Sequence, residues 1–309
     1  MQEITFTIAA VERDVGLSKD VLRVWERRYG FPIPQRDAHG ERLYPADQVQ
    51  RLRLIKRLMD QGHRPGRLLA ATPEELELSL SSARNRPGDA GPEDTPGHLA
   101  ELVDLLCSHN AGAYLLALQQ RLARQGLRLF VLDTVAPLGA LIGQAWEQGR
   151  LQVFEEHLFT ELTARTLRQA IAAVPGGSAP RVLLTTLPDE PHAMGLLMVE
   201  ALLALDGAHC TSLGTQTPIV EIGQAAQAYG VDVVALSFSA AFPQRQAPAL
   251  LRQLRATLPG SVQLWAGGAG AAALRASEGI LALSSLDDAV TALQGWRELR
   301  SASTGNQNR

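Results

Sequence analysis

The sequence predicts a multidomain chain: an N-terminal winged helix-turn-helix, a four-helix bundle, and a C-terminal Rossmann-like α/β domain. Three observations carry that prediction. Residues 1–72 hold two short, capped helices joined by a glycine turn and followed by a glycine-turned hairpin. Residues 98–174 show apolar residues at helical spacing with no strand signal. From residue 181 onward, apolar β-branched runs alternate with helical stretches, the pattern of a parallel, doubly wound sheet.

Length and composition bound what such a chain can do. With 309 residues there is room for two or three domains, each with its own core. A formal charge of −3 argues against blanket binding of polyanions. Residues 1–72, however, hold more Lys and Arg than Asp and Glu, so that end is where nucleic acid would bind. Cys107 and Cys210 are too far apart in sequence to suggest a disulfide framework or a metal motif. Their apolar contexts predict buried free thiols in a reducing compartment. Glu3, Glu12, Arg13 and Asp14 occupy the stretch where a signal peptide needs an apolar run. No run approaches the roughly eighteen apolar residues of a membrane span, and the expected location is the cytoplasm. Paired acids, a nucleophile triad and an open metal site are all missing from the pattern, so an enzyme is not expected.

In chain order, Thr7 can cap a helix from Ile8 to Val15 that Gly16 ends, and Ser18 can cap a second from Lys19 to Tyr29 that Gly30 ends. Val21, Leu22 and Trp25 recur on one face of the second helix, while Lys19, Arg23 and Arg27 lie on or beside another. A basic face suits phosphate and base-edge contact in a major groove. The stretch from Phe31 to Arg36 and the stretch from Gly40 to Tyr44 read as a hairpin bearing arginines, a wing. Asp47 opens a third helix with Val49, Leu52, Ile55, Leu58 and Met59 inward. These residues carry a resemblance. Leu22-Arg23-x-Trp25-Glu26-Arg27-Arg28-Tyr29-Gly30, then Pro34-x-Arg36, Gly40-x-Arg42-x-Tyr44 and Asp47, resemble the winged helix of MerR-type regulators. The resemblance implies a DNA-binding domain over residues 1–80, with Lys19, Arg23 and Arg27 on the recognition helix and Arg36, Arg42 and Tyr44 on the wing. Leu22 and Trp25 would be core. Residues 81–97, rich in Pro, Gly and charge, read as a flexible linker. The long pairing helix usual in MerR-type dimers is not evident, so assembly is expected to come from downstream.

Residues 98–175 read as the bundle, with Gly112, Gly126 and Gly149 punctuating it into about four helices. Trp146 lies near one helix end, followed by Glu147, and Glu156-His157 opens the last helix. Residues by themselves allow a core Trp and an acid favoured by a helix N-terminus. Ala173 to Pro180 is a short second linker.

Residues 180–300 read as the α/β domain, with strands at Val182–Thr186, His209–Leu213, Val231–Ser237, Val262–Trp265 and Ile280–Leu283. Right-handed crossovers place the strand-end loops on one edge. That edge, where ligands of open α/β sheets bind, collects His192, the loop from Leu213 to Pro218 with Thr217, Ser237 to Ser239, and Gly267-Gly268. Gly267-Gly268-Ala269-Gly270 follows the fourth strand and lacks the full dinucleotide fingerprint, which argues against NAD. Residues 301–309 read as a disordered polar tail.

Glu190-x-His192-x-x-Gly195 is followed after 41 residues by Ser237-x-Ser239, and after a further 27 by Gly267-Gly268. This spacing resembles the cobalamin-binding domain of corrinoid methyltransferases, mutases and some regulators. One imidazole is too little for a bare metal ion, but it suffices for a cobalt held in a corrin ring. The resemblance implies His192 as the lower axial ligand of cobalt, with Glu190 orienting it. Ser237 and Ser239 would line the cleft for the nucleotide tail, and Gly267 and Gly268 would let the backbone approach it. Ser239 stands where the pattern usually has Leu.

The Trp146-x9-Glu156-His157 spacing is similar to the bundle that caps the upper cobalamin face in CarH/LitR-type photoreceptors. The resemblance implies that Trp146 covers the upper face and that Glu156 and His157 hydrogen-bond an adenosyl group. Glu147 stands where light-responsive members have a histidine that ligates cobalt after illumination. The implied function is a cobalamin-dependent repressor. It binds promoter DNA as an oligomer, a tetramer in the dark, with adenosylcobalamin, and light releases it. Alternatives are a light-independent cobalamin or corrinoid sensor, a corrinoid carrier for methyl transfer, or a regulator whose sensor half binds nothing, and the alternative cofactor is methylcobalamin or another cobalamin.

Overall fold

The computed structural model describes residues 5–60, 63–72, 75–76, 97–147, 150–271 and 279–307, and the chain divides into two compact units, residues 1–94 and 95–309. Residues 81–96 of the first linker and residues 308–309 of the tail lie outside the described residues, while Gly97, read as the linker's last residue, begins a helix.

The N-terminal unit comprises β1 (Thr5–Thr7), α1 (Ile8–Val15), α2 (Lys19–Tyr29), β2 (Gln35–Arg36), β3 (Arg42–Pro45), α3 (Ala46–Asp60) and α4 (Pro65–Ala70). Local signals set its helix ends. Thr7 accepts from the Ala10 N–H at 3.3 Å, and Ser18 accepts from the Val21 N–H at 3.3 Å. Gly16 and Gly30 stop α1 and α2 with φ of 71° and 68°, the left-handed region. The hairpin forms as expected, but β1 adds a third strand, giving the antiparallel order β1-β3-β2. Val11, Leu22, Trp25, Tyr44, Val49, Leu52, Ile55 and Leu58 form the core of this unit.

The second unit opens with α5 (Gly97–Cys107), α6 (Ala111–Leu129), a π-helical segment at Phe130–Val135, α7 (Ala136–Glu147) and α8 (Val153–Ala172). Asn110 caps α6 through its side chain, so Gly112 lies inside that helix rather than at a break. Gly126 does interrupt it, at φ 75° and ψ 163°. By length and composition the helical stretch Ala111–Trp146 is apolar enough to cross a membrane, contrary to the sequence reading. Its apolar residues have a use inside the protein: Tyr114, Leu118, Phe130, Val131, Val135, Leu138 and Ile142 build the bundle core.

The α/β part follows as β4 (Arg181–Thr185), α9 (Met194–Leu205), β5 (His209–Gly214), α10 (Ile219–Ala228), β6 (Val233–Ser237), α11 (Ala247–Thr257), β7 (Gln263–Gly267), β8 (Ile280–Leu283) and α12 (Leu286–Gln307). All five strands are parallel, in the order β5-β4-β6-β7-β8. Alternate residues face opposite layers. Leu183, Val234, Leu236 and Leu264 pack with α10 and α11, while Val182, Leu184, Val233 and Trp265 pack with α9 and α12. The chain therefore leaves β4 and β6 toward opposite layers, which makes the gap between them the switch point of the sheet. Leu197, Ala201 and Leu202 of α9 also belong to the bundle core, so the bundle seats on the helix that follows β4.

Two further expectations change. The helix α12 continues through Gln307, into the stretch read as a disordered tail, and Ser301 Oγ donates to the Arg297 carbonyl at 2.9 Å. Cys107 is exposed rather than buried. Cys210 is half-buried, and burial pushes its thiol pKa up to about 12.

Candidate functional site

The site grows from the end of β4. Beyond Thr185 the chain turns through a loop in which several polar groups bond to each other. Thr186 is buried; its hydroxyl donates to the Glu190 carbonyl at 2.6 Å and accepts the Gln216 N–H at 2.8 Å. Thr185 Oγ1 lies 2.7 Å from Thr217 Oγ1, and the Thr217 N–H reaches the Thr186 carbonyl at 3.1 Å. The loops after β4 and β5 are thereby joined.

Glu190 is the hub. Its carboxylate has no exposure, a costly placement for a charge unless it is fully bonded. Oε1 lies 2.6 Å from His192 Nδ1 and accepts the His192 N–H at 3.1 Å. Oε2 accepts the Ser239 N–H at 2.6 Å, across from the loop after β6. Burial alone would raise its pKa. The hydrogen bonds from the His192 ring and from the Ser239 and His192 N–H groups outweigh that, and hold the carboxyl below its usual range.

An ionised Glu190 must accept, so His192 donates to it from Nδ1. The ring is 54% exposed at the ligand edge of the sheet. Among the described residues no group of three or more His, Cys, Asp or Glu could hold a bare ion. A single oriented imidazole with a carboxylate behind it fits a metal that arrives in its own macrocycle.

The remaining expected residues divide into two sets. Gly195 and Ser237 touch: a Cβ on Gly195 would lie 2.4 Å from Ser237 Oγ. Ser239 Oγ is buried with no hydrogen-bond partner among the described residues, beside the carboxylate hub, and suits a polar group of a bound molecule. Gly267 and Gly268 lie close against neighbouring parts of the chain. A Cβ on Gly268, at φ 96°, would meet the Phe238 carbonyl oxygen at 2.4 Å, and one on Gly267 would meet Leu283 at 3.4 Å. At Gly268 the missing side chain makes room for the chain's own backbone.

On the bundle, Trp146 is half-buried in the last turn of α7. Glu147 closes that helix; its side chain lies outside the described residues. Glu156 and His157 stand in the first turns of α8. Thr160 Oγ1 donates to Glu156 at 2.8 Å, and His157 Nε2 lies 3.7 Å from the same carboxylate. The sequence reading missed their neighbour Glu155, which is buried, accepts the Gln152 N–H at 2.7 Å and lies 3.0 Å from His109 Nε2. The spacing Gln152-x-x-Glu155 before an apolar run was the available signal.

A cavity of about 570 Å³ opens at the opposite edge of the sheet, beside Arg181, Asp232, Trp296, Arg297 and Arg300. Its geometry belongs to the framework. Arg297 donates to the Ala179 and Asp206 carbonyls, and Arg300 pairs with Asp232 at 2.7 Å.

In the N-terminal unit, Arg23 and Arg27 are exposed on α2, and Lys19 pairs with Glu12 at 3.3 Å. Arg36 is exposed, with its guanidinium donating to the Gly40 carbonyl at 2.6 Å. The other two wing residues do not stand free. Tyr44 is fully buried, its hydroxyl donating to Glu26 Oε1 at 2.6 Å, and Arg42 Nε donates to Glu26 Oε2 at 2.9 Å. A buried phenol cannot touch a phosphate, so the expected DNA contact by Tyr44 is corrected to a core role. The pKa of Tyr44 is pushed up, first by burial and then by its bond to Glu26.

Comparison with known proteins agrees with both units. Residues 6–68 match the MerR HTH family of regulatory proteins. The HTH-type transcriptional repressor CarH of Myxococcus xanthus is 31% identical over 274 residues, 88% of this chain and 91% of that protein. The repressor CarA of the same organism is 32% identical over 272 residues, 87% of this chain and 88% of that protein. The fold of 64% of the chain resembles 97% of the monomethylamine corrinoid protein of Methanosarcina barkeri, with a TM-score of 0.53 and 16% identity. A match of residues 6–68 to the family model, and two relatives more than 30% identical and aligned over nearly their whole length, place this chain in the family of MerR-type helix-turn-helix transcriptional regulators that includes CarH and CarA.

Proposed function

We propose that this chain is a cobalamin-dependent repressor that occupies promoter DNA as an oligomer when it holds adenosylcobalamin and leaves it on illumination. The observation that carries the reading is the 2.6 Å contact between His192 Nδ1 and a fully buried Glu190 at the switch point of the sheet. That pair presents one oriented imidazole where a corrinoid needs one axial ligand. The buried Ser239 hydroxyl, without a hydrogen-bond partner among the described residues, supports a nucleotide tail in the cleft between β4 and β6. When bound, adenosylcobalamin supplies a cobalt–carbon bond that light can break.

The chain's own residues do the rest. Glu190 holds the tautomer and orientation of His192, and Ser237 and Thr217 line the cleft. Trp146, Glu156 and His157 of the bundle would hold the cofactor from the other side and bind its adenosyl group. The bundle shares its core with α9, the helix that starts two residues after His192, so the upper and lower elements are built on one support. A cofactor shifts assembly or DNA occupancy only by its differential affinity for the two states. The half-buried surface around Trp146 would be where that difference arises. A DNA-binding head places this work in the compartment that holds DNA.

Glu147 favours a second reading, a cobalamin sensor indifferent to light. A carboxylate is a poorer partner for cobalt than the histidine found at this place in the light-responsive proteins that the chain resembles.

The test is the visible spectrum of the purified chain mixed with adenosylcobalamin in the dark, desalted, then illuminated, with elution volume followed in parallel. A retained histidine-ligated spectrum that changes with light, together with a change in assembly, supports the photoreceptor. Retention with light-independent assembly supports the sensor. Methyl transfer to a partner protein would indicate a carrier instead, and no retained corrinoid removes the cofactor from the reading.

A further inference from the structure

Glu26 sits on α2 between basic residues, where a carboxylate facing DNA would repel phosphates. Instead its two oxygens divide between two residues of the wing strand β3. Oε1 takes the Tyr44 hydroxyl at 2.6 Å, and Oε2 takes Arg42 Nε at 2.9 Å. The carboxylate is 15% exposed and Arg42 is 30% exposed, so solvent screens this contact only in part. Arg42 in turn pairs in register with Arg36 of β2. The chain of contact therefore runs from α2 through Glu26 and β3 to the arginine at the wing's edge.

We propose that Glu26 is a positioning residue for DNA recognition: it clasps the wing to α2, and Arg42 and Tyr44 act through it rather than by touching DNA. Charge-assisted hydrogen bonds are short and about twice as strong as neutral ones, so two on one carboxylate define the angle between helix and hairpin. With that angle set, contacts from α2 and from the wing form together, and neither has to be ordered separately on binding. Arg42, already neutralised by Glu26, releases few counterions when DNA binds. The inference rests on DNA binding by the winged helix and is independent of any cofactor.

The experiment uses the full-length chain, with and without adenosylcobalamin in the dark, on a duplex selected by the wild-type chain from a random-sequence pool. Anisotropy titrations over a salt series give affinity and salt slope, and hydroxyl-radical footprints locate the contacts. Glu26→Gln and Glu26→Ala are expected to bind roughly tenfold more weakly, with the protections lost being those that Arg36→Ala removes. Adding Arg42→Ala to Glu26→Ala should cost nothing further and leave the salt slope unchanged. Thermal unfolding reports whether Glu26→Ala folds. If it does not, Glu26→Gln and Tyr44→Phe, which keep the side-chain shapes, carry the comparison. Wild-type affinity and footprint in those variants overturn the proposal. So does an Arg42→Ala effect that adds to Glu26→Ala and lowers the salt slope by about 0.9, the signature of an independent phosphate contact.

Discussion

His192 Nδ1 lies 2.6 Å from Oε1 of Glu190, a carboxylate with no exposure that also holds the Ser239 N–H at 2.6 Å. One buried charge thus orients the imidazole and ties the loop after β4 to the loop after β6. Replacing Glu190 by Gln keeps the size and removes the charge that raises the basicity of His192. Cobalamin affinity is expected to fall about 10–100-fold, read by absorbance titration of the purified chain. His192→Ala should abolish the histidine-ligated spectrum altogether. Equal affinity in wild type and Glu190→Gln would mean that the carboxylate does not tune the ligand.

The same pair predicts a pH dependence of stability. Glu190 ionises more readily in the folded chain than the ordinary value of 4.5, because its hydrogen bonds outweigh burial. A group whose folded pKa is depressed contributes stability that is fully present above its unfolded pKa. That contribution is lost as pH falls through the folded value. Urea midpoints of wild type and Glu190→Gln should therefore differ most near neutrality and converge below pH 4.5, as the wild-type advantage disappears.

Gly195 and Ser237 make a sharper test of packing. A Cβ at 195 would lie 2.4 Å from Ser237 Oγ but 3.5 Å from Ser237 Cβ. Gly195→Ala alone should destabilise by about 1–3 kcal/mol through overpacking. Adding Ser237→Ala removes the clashing oxygen and leaves an ordinary contact. The double variant should recover wild-type stability or exceed it, since Ala favours a helix over Gly by up to about 1 kcal/mol. Gly268→Ala has no such rescue, because its obstacle is the backbone carbonyl of Phe238.

Glu155 is expected to matter for the bundle. It accepts the Gln152 N–H at the start of α8 and bonds the ring of His109 in the preceding turn between α5 and α6. Glu155→Ala removes both contacts and should cost about 1–2 kcal/mol, measured as a lower urea midpoint. An unchanged midpoint would show that α8 is held by its apolar face alone.

Much of this architecture was legible because it is locally encoded. The caps at Thr7 and Ser18, the stops at Gly16 and Gly30 and the five strand runs each depend on residues within a few positions. The placement of His192 just past a buried strand followed from the same kind of signal. The motif around Trp25 and the spacing from His192 to Ser237 supplied the family resemblance. What misled was burial. Tyr44 read as a wing contact because a tyrosine in a hairpin looks the same from sequence whether it faces DNA or a glutamate on the helix before.

The sequence by itself determined the elements, their order and the chemistry available at the strand ends, because caps, turns and apolar periodicity act over a few residues. Only the tertiary structure decided which of those groups meet. Glu190 finds Ser239 from 49 residues away, and Glu26 finds Arg42 and Tyr44 from 16 and 18 away. Those pairings depend on the order of strands and on which faces are buried. A carboxylate deprived of water must take whatever donors the fold brings to it.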